Sequence, residues 1–305
     1  MISTILYITL IFYAPYKYFM KLTWENFFLD FSRKTCVMGI LNITPDSFSD
    51  GGKFFEKSKA IKRAIQMVED GADIIDIGGE STRPGSEPIT IEEELRRTIP
   101  IITAVSKEIN QPVSIDTYKS EVAKRALDAG VSLVNDISGL RYDPDMPNVI
   151  AQYDVPVIIM HIKGTPKNMQ QNPIYEALIP EILDYLREGI NIAESSGIPR
   201  DKIIIDPGIG FGKTFEQNLE IIHDLKIFSL LEKPICIGPS RKAFLGKILG
   251  ATATDERLEG TAAAVAVSIL NGANIVRVHD VKEIARVVKI ADAIKRMKIS
   301  EGEQT

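Results

Sequence analysis

GADIIDIGGESTRPG, residues 71–85, is the stretch whose reading decides the fold. A largely apolar run at 72–77 ends in Gly78-Gly79 and then in Glu80-Ser81-Thr82-Arg83-Pro84. A run this short, bounded by glycine, reads as a strand buried on both faces. Beyond it, 91–105 has helical spacing, opened by Thr90 with Glu93 three residues on in a capping-box arrangement. The same unit recurs along the chain. Apolar runs stand at 36–41, 113–115, 131–134, 155–160, 203–205, 235–237 and 274–278. Helical segments lie at 57–69, 120–128, 174–195, 215–227 and 281–297, with one more at 255–271. In the last of the chain, Ile284, Val287, Val288, Ala291 and Ile294 follow the i, i+3, i+4, i+7 rule, and Asp280 is placed to cap that helix.

Strands that alternate with helices imply a parallel sheet covered on its faces. An open doubly wound sheet could be built from these units. Eight runs and this length favour an α/β fold of one closed (β/α)₈ TIM barrel. In such a barrel the active site lies at the C-terminal ends of the strands, and there the reactive side chains collect. Asn42 and a long loop with Phe48 follow the first run; Glu80 to Pro84 follow the second. Asp116, Asn135 with Asp136, His161 and Asp206 end the next four, Ser240-Arg241-Lys242 the seventh, Arg277 and His279 the eighth.

Each residue has a plainer reading. A strand-end Asp or Asn often closes a turn, which fits Asp136 or Asn135 alone, and Asp116 next to Thr117 could cap a helix. His161 and His279 could be satisfied core histidines, Glu80 a buried carboxylate holding its loop, Arg241 a surface residue. Eight successive strand ends carrying such groups is what these readings leave unexplained.

The mix of Asp116, Asn135, Asp206 and Lys242 suits a flat heterocycle with amide, amine and ring-nitrogen edges. Asn42, Arg277 and His279, on the first and last strands, offer a polar, positive corner for phosphate. The loops after the first two runs are long enough to act as lids.

Gly208-Ile209-Gly210-Phe211-Gly212-Lys213-Thr214 looks like the end of a phosphate-binding loop, but Pro207 stands where that pattern needs glycine. No dinucleotide fingerprint is present, and three scattered histidines give no His/Cys metal cluster; a hard cation held by oxygens stays open. The net charge of −5, with 45% hydrophobic and 25% charged residues, argues against a nucleic-acid partner. Cys36 and Cys236 read as two buried thiols in a reducing cytoplasm.

The segments MGILNITPDSFSDGG (38–52), GADIIDIGGESTRPG (71–85), SIDTYK (114–119), VNDISG (134–139), HIKGTPKNMQ (161–170), IDPGIGFGKT (205–214), IGPSRKAFLG (237–246) and RVHDV (277–281) together resemble the motifs of the dihydropteroate synthase family, in family order. The resemblance implies a cytoplasmic homodimeric transferase of folate synthesis and a sulfonamide target. It would join 6-hydroxymethyl-7,8-dihydropterin pyrophosphate to p-aminobenzoate with Mg²⁺. It implies pterin binding by Asp116, Asn135, Met160, Asp206, Phe211, Lys242 and Arg277. It implies a p-aminobenzoate site from Phe48, Thr82, Arg83, Pro84 and Ser240. Pyrophosphate would fall to Asn42, Arg277 and His279, with Asn42 also the metal ligand. Catalysis would rest on Arg277, His279, Lys242 and Asp116. Ile162-Lys163 departs from a Met-Gln pair common in the family. The alternatives are a pterin-dependent corrinoid methyltransferase, which has no use for the first loop or the Ser-Arg-Lys segment, and a non-catalytic pterin-binding subunit.

Residues 1–19 have no family counterpart. This apolar leader is too short to span a membrane and lacks a charged start. The preferred reading is a mis-assigned start with translation from Met20, ahead of a membrane-associating segment and, last, secretion. Residues 20–305 then form one barrel domain.

Overall fold

A computed structural model describes residues 21–44, 53–250 and 253–297. The leader at 1–19, the loop stretch 45–52 with Phe48, and the chain from 298 onward lie outside the described residues.

The barrel strands are β3 (Cys36–Asn42), β4 (Ile74–Gly78), β5 (Val113–Asp116), β6 (Leu133–Asp136), β7 (Val157–Met160), β8 (Ile203–Asp206), β9 (Cys236–Ile237) and β10 (Ile275–Val278). They pair in parallel in the order β8-β7-β6-β5-β4-β3-β10-β9. A parallel bridge from Ile205 to Ile235 closes the ring, and the Ile205 amide donates to Pro234 O at 3.0 Å. The expected barrel is the observed fold.

Alternation along the strands builds two layers. Val37, Ile75, Ile77, Ile115, Val134, Ile159, Ile205 and Val276 face outward into the apolar layer under the helices. Met38, Ile74, Leu133, Ile158, Ile204, Cys236 and Ile275 face inward and fill the barrel. Side chains two residues apart share a face of a strand. The next inward layer therefore holds Asp76, Asp116, Asn135, Met160, Asp206 and Arg277. The polar residues end the strands on the same face that carries the apolar plug.

The covering helices are α1 (Lys53–Glu69), α2 (Ile91–Glu108), α3 (Ser120–Asp128), α4 (Met146–Tyr153), α5 (Leu178–Ser195), α6 (Phe215–His223), α7 (Ala243–Leu249), α8 (Leu258–Leu270) and α9 (Val281–Lys295). Some points differ from the sequence reading: the helix expected at 215–227 ends at His223, and a 3-10 segment follows at Leu225–Leu231. The helix expected from residue 174 begins at Leu178, with Ile174 exposed. The Asp280 side chain makes no cap hydrogen bond to α9, because its carboxylate takes the guanidinium of Arg241. At α2, Thr90 Oγ1 accepts from the Glu93 amide at 3.3 Å, but the Glu93 carboxylate turns to Arg96 and Arg97, so only half the box forms.

An antiparallel hairpin of β1 (Lys21–Trp24) and β2 (Phe27–Asp30) precedes the barrel, which the sequence reading began near Thr35. Leu22, Trp24, Leu29 and Phe31 are buried against Cys36, Ile74, Leu133, Ile204 and Ile275. The hairpin thus stoppers the N-terminal end of the barrel, and each such side chain contributes about 1.5–3 kcal/mol of burial.

Candidate active site

At the C-terminal mouth, Asp116, Asn135, Met160, Asp206, Phe211, Lys242 and Arg277 line one pocket, completed by Ile137, Ile209 and Gly238. All seven side chains expected to hold a pterin are therefore brought together.

Arg277 divides its fork. Nε donates to Asp76 Oδ2 and Nη2 to Asp116 Oδ2, both at 2.6 Å. Asn135 Nδ2 also donates to Asp76 Oδ2, at 3.2 Å. Asp76 is the residue the sequence reading missed, because it sits inside a strand taken as apolar. Its signal was parity: it faces inward two residues before Gly78 and after Ile74. Asp76 Oδ1 and Asp116 Oδ1 are buried and have no hydrogen-bond partner. One guanidinium serves two carboxylates, so burial dominates and pushes Asp116 up to about 7 although Arg277 pulls the other way. For Arg277 burial opposes the charge, but Asp76 and Asp116 outweigh it and hold the guanidinium protonated.

Asp206 Oδ1 accepts from the Gly208 amide at 2.7 Å, and burial pushes the acid up to about 6 against that bond. The glycine-rich stretch rejected as a phosphate loop has a different use. Gly208 has φ +73, and a Cβ would come 1.9 Å from His161 O; Gly212 has φ +65, with 2.4 Å to Lys163 O. Only glycine lets the loops after β7 and β8 pack this closely. Lys213 Nζ, buried between them, lies 2.9 Å from both His161 Nδ1 and Phe211 O. That bonding makes His161 a satisfied interior residue. The loop delivers Phe211, whose ring centre lies 4.3 Å from Lys242 Nζ. Burial lowers Lys242 to about 8, with Arg277 next. Ile162 joins Met160, Met169 and Phe211 in the cluster behind the pocket, while Lys163 turns outward to Glu181.

His279 Nδ1 lies 3.0 Å from Ser240 Oγ, which also accepts from the His279 amide at 3.2 Å. Burial, then Arg277 and Arg241, hold this imidazole down to about 3. His279 is neutral at physiological pH, so the positive corner rests on Arg277 and Lys242. Ser240, expected beside p-aminobenzoate, is buried against that histidine. Asp136 proves the plainer reading, its carboxylate accepting from the Ser138 and Leu140 amides.

Loop 2 (residues 79–90) is fastened rather than loose. Glu80 Oε2 accepts from the Ile89 amide at 3.0 Å, and the Gly85 amide donates to Pro166 O at 2.9 Å. Thr82 is half-buried, and Arg83 and Pro84 are exposed beside it. Asn42 is half-buried at the end of β3. Among the described residues no group of three or more His, Cys, Asp or Glu side chains is placed to hold a metal ion. A lone amide oxygen at Asn42 fits a cation that takes most of its ligands from phosphate and water, as magnesium does.

The pocket and barrel define a pterin-binding barrel enzyme, and a family model described as "Pterin binding enzyme" matches residues 38–279. The chain belongs to the dihydropteroate synthase family, transferases of folate synthesis. It is 49% identical to the dihydropteroate synthase of Synechocystis, over 88% of this chain and 92% of that one. Among solved structures, it is similar to the Clostridium difficile dihydropteroate synthase in the presence of pteroic acid. There TM-score is 0.82 and identity 47%, covering 87% of this chain and 98% of that one. The Yersinia pestis enzyme in complex with a sulfonamide drug gives TM-score 0.86 at 38% identity, covering 91% and 100%.

Proposed function

We propose that the pocket binds the dihydropterin ring of 6-hydroxymethyl-7,8-dihydropterin pyrophosphate and that the chain transfers its methylene to the amine of p-aminobenzoate, releasing pyrophosphate. The carrying observation is that one pocket at the barrel mouth is lined by Asp116, Asn135, Asp206, Lys242 and Arg277 together with Phe211 and Met160. Asp206 and Asn135 accept and donate along the heterocycle's edge, and Met160 and Phe211 pack on its faces. An electron-rich dihydropterin supports positive charge at its exocyclic methylene as pyrophosphate departs. Buried carboxylates at Asp116 and Asp206 stabilise that charge. Arg277, Lys242, Asn42 and His279 receive the leaving group, His279 as a neutral hydrogen-bonding imidazole. Arg277 and Lys242 supply the positive charge. An aniline amine needs no activating base. Phe48, Thr82, Arg83, Pro84 and Ser240 border the p-aminobenzoate in this reading. Magnesium, held through Asn42 and the pyrophosphate, would supply charge neutralisation on the leaving group.

A homodimer in the cytoplasm completes the proposal. Supporting the dimer, α8 and α9 pack side by side and leave Val267, Leu270, Ile290 and Ile294 exposed. No described helix is long and apolar enough to cross a membrane. The assay is pyrophosphate release from the pterin pyrophosphate with and without p-aminobenzoate. Release that requires p-aminobenzoate is expected; release indifferent to it would overturn the reading.

A further inference from the structure

Behind loop 2 lies a charged cluster built on Glu80, Glu94 and Lys119, none of which lines the pocket. Lys119, the residue preceding α3, inserts its ammonium between Glu80, which opens loop 2, and Glu94 of α2, 2.6 Å from each carboxylate. Its third donor reaches Ile89 O, at the far end of loop 2, at 2.8 Å. Glu80 in turn accepts from the Ile89 amide and from Tyr118 Oη at 2.7 Å. Glu94 is 1% exposed and Glu80 9%. One ammonium thus joins the first and last residues of the segment 80–89 and fastens both to α2. Taking these charges out of water costs nearly what their attraction returns, so an apolar contact would stabilise the fold as well. What the ion cluster supplies is directional: three bonds of fixed geometry at the base of a loop whose tip carries Thr82, Arg83 and Pro84.

We infer that Lys119 is a positioning residue for the second substrate: by closing the base of loop 2 through Glu80 and Ile89, it sets how the loop presents Thr82, Arg83 and Pro84 to p-aminobenzoate and its mimics. This rests on the reading that loop 2 borders the p-aminobenzoate site. The pterin pocket is lined by other residues, on β5 to β10 and the loops that follow those strands.

Lys119→Met removes the ammonium and keeps the stem. It should raise KM for p-aminobenzoate about tenfold, as loss of one positioning contact does, and raise the inhibition constant of a sulfonamide in step. The turnover number should stay within about threefold, and calorimetric affinity for 6-hydroxymethyl-7,8-dihydropterin should not change. Lys119→Arg, which can still reach both carboxylates, should recover most of the p-aminobenzoate KM. Because Lys119→Met leaves two buried carboxylates facing each other, the double variant Lys119→Met/Glu94→Gln is measured beside it and should show the same split. An unchanged p-aminobenzoate KM in a folded variant overturns the inference, and so does an equal loss for both substrates, which marks general damage. Thr82→Ala separates the two levels. If it leaves the p-aminobenzoate KM untouched, the assignment of loop 2 fails; if it raises KM while Lys119→Met does not, only the role of Lys119 fails.

Discussion

Asp116 is held in an uneven contest: Oδ2 receives Arg277, whereas Oδ1 is buried without a donor. A carboxyl whose folded pKa is raised stabilises the fold while it is protonated. That contribution is full below the unfolded value of 3.8 and is lost as pH rises from there to the folded value, here about 7. Asp116→Asn, which cannot ionise, should therefore lie closest to wild-type stability in the ligand-free protein at about pH 4 and pull ahead as pH rises. At pH 8 it should melt higher by about 3 °C or more, while pterin affinity collapses. Arg277 keeps Asp76 as its counter-ion, at 2.6 Å, so no cation is stranded. Thermal unfolding at the two pH values checks this, and a lower melting point at pH 8 would contradict it. At this scale the sequence was most legible where a polar residue ends an apolar run, as at Asn135 or Asp206. Asp76 escapes because the run 72–77 reads as one apolar block, and which of its residues face inward is fixed only by the neighbouring strands. His279 was recognised by place, but its neutrality follows from neighbours that only the folded chain supplies.

Among the elements, periodicity showed the eight barrel strands and most helices, since each long apolar or amphipathic run had to be buried. It missed α4 and α7, only eight and seven residues long, and the hairpin of β1 and β2, with four residues to a strand. Segments that short carry too few periods to stand out, although Leu22 alternates with Trp24 and Leu29 with Phe31. The hairpin sits at the end of the barrel away from the site, which separates stability from activity. Trp24→Ala should cost about 3–5 kcal/mol by denaturant unfolding, with the turnover number of the folded enzyme unchanged. Trp24→Phe should cost less than about 1.5 kcal/mol, a smaller aromatic replacing an indole whose Nε1 is buried without a partner. Loss of turnover in a fully folded Trp24→Phe would tie the hairpin to the chemistry. Loop 2, expected as a lid, is fastened through Glu80, Ile89 and Gly85 in the ligand-free chain, so binding need not order it.

Across the molecule, a chain of net charge −5 is proposed to take two anionic substrates. The resolution is local. Arg277 and Lys242 converge on one mouth, and the low-dielectric barrel wall strengthens their field there. Salt should accordingly weaken capture of the pterin pyrophosphate more than that of p-aminobenzoate, which carries less charge. Sulfonamides share the aniline ring and a polar para group with p-aminobenzoate. Their inhibition should be relieved by added p-aminobenzoate and not by added pterin pyrophosphate; steady-state inhibition patterns decide it, and relief by the pterin substrate alone would place the drug in the wrong pocket.

The claim underneath all of this is that the buried carboxylates at the barrel mouth bind the pterin ring as acceptors. Calorimetric titration of 6-hydroxymethyl-7,8-dihydropterin into the wild type and Asp206→Asn, at pH 6 and pH 8, tests it most directly. Burial places Asp206 at about 6 and Asp116 at about 7, so at pH 6 Asp116 is mostly and Asp206 about half protonated, and a donor-rich ring must displace those protons. The wild type should bind more tightly at pH 8 than at pH 6 and release protons to the buffer at pH 6. Asp206→Asn, which turns an amide donor toward the ring's own donors, should lose about 1–3 kcal/mol of affinity at pH 8. Equal affinity in the two proteins, with no proton release at pH 6, would contradict the account.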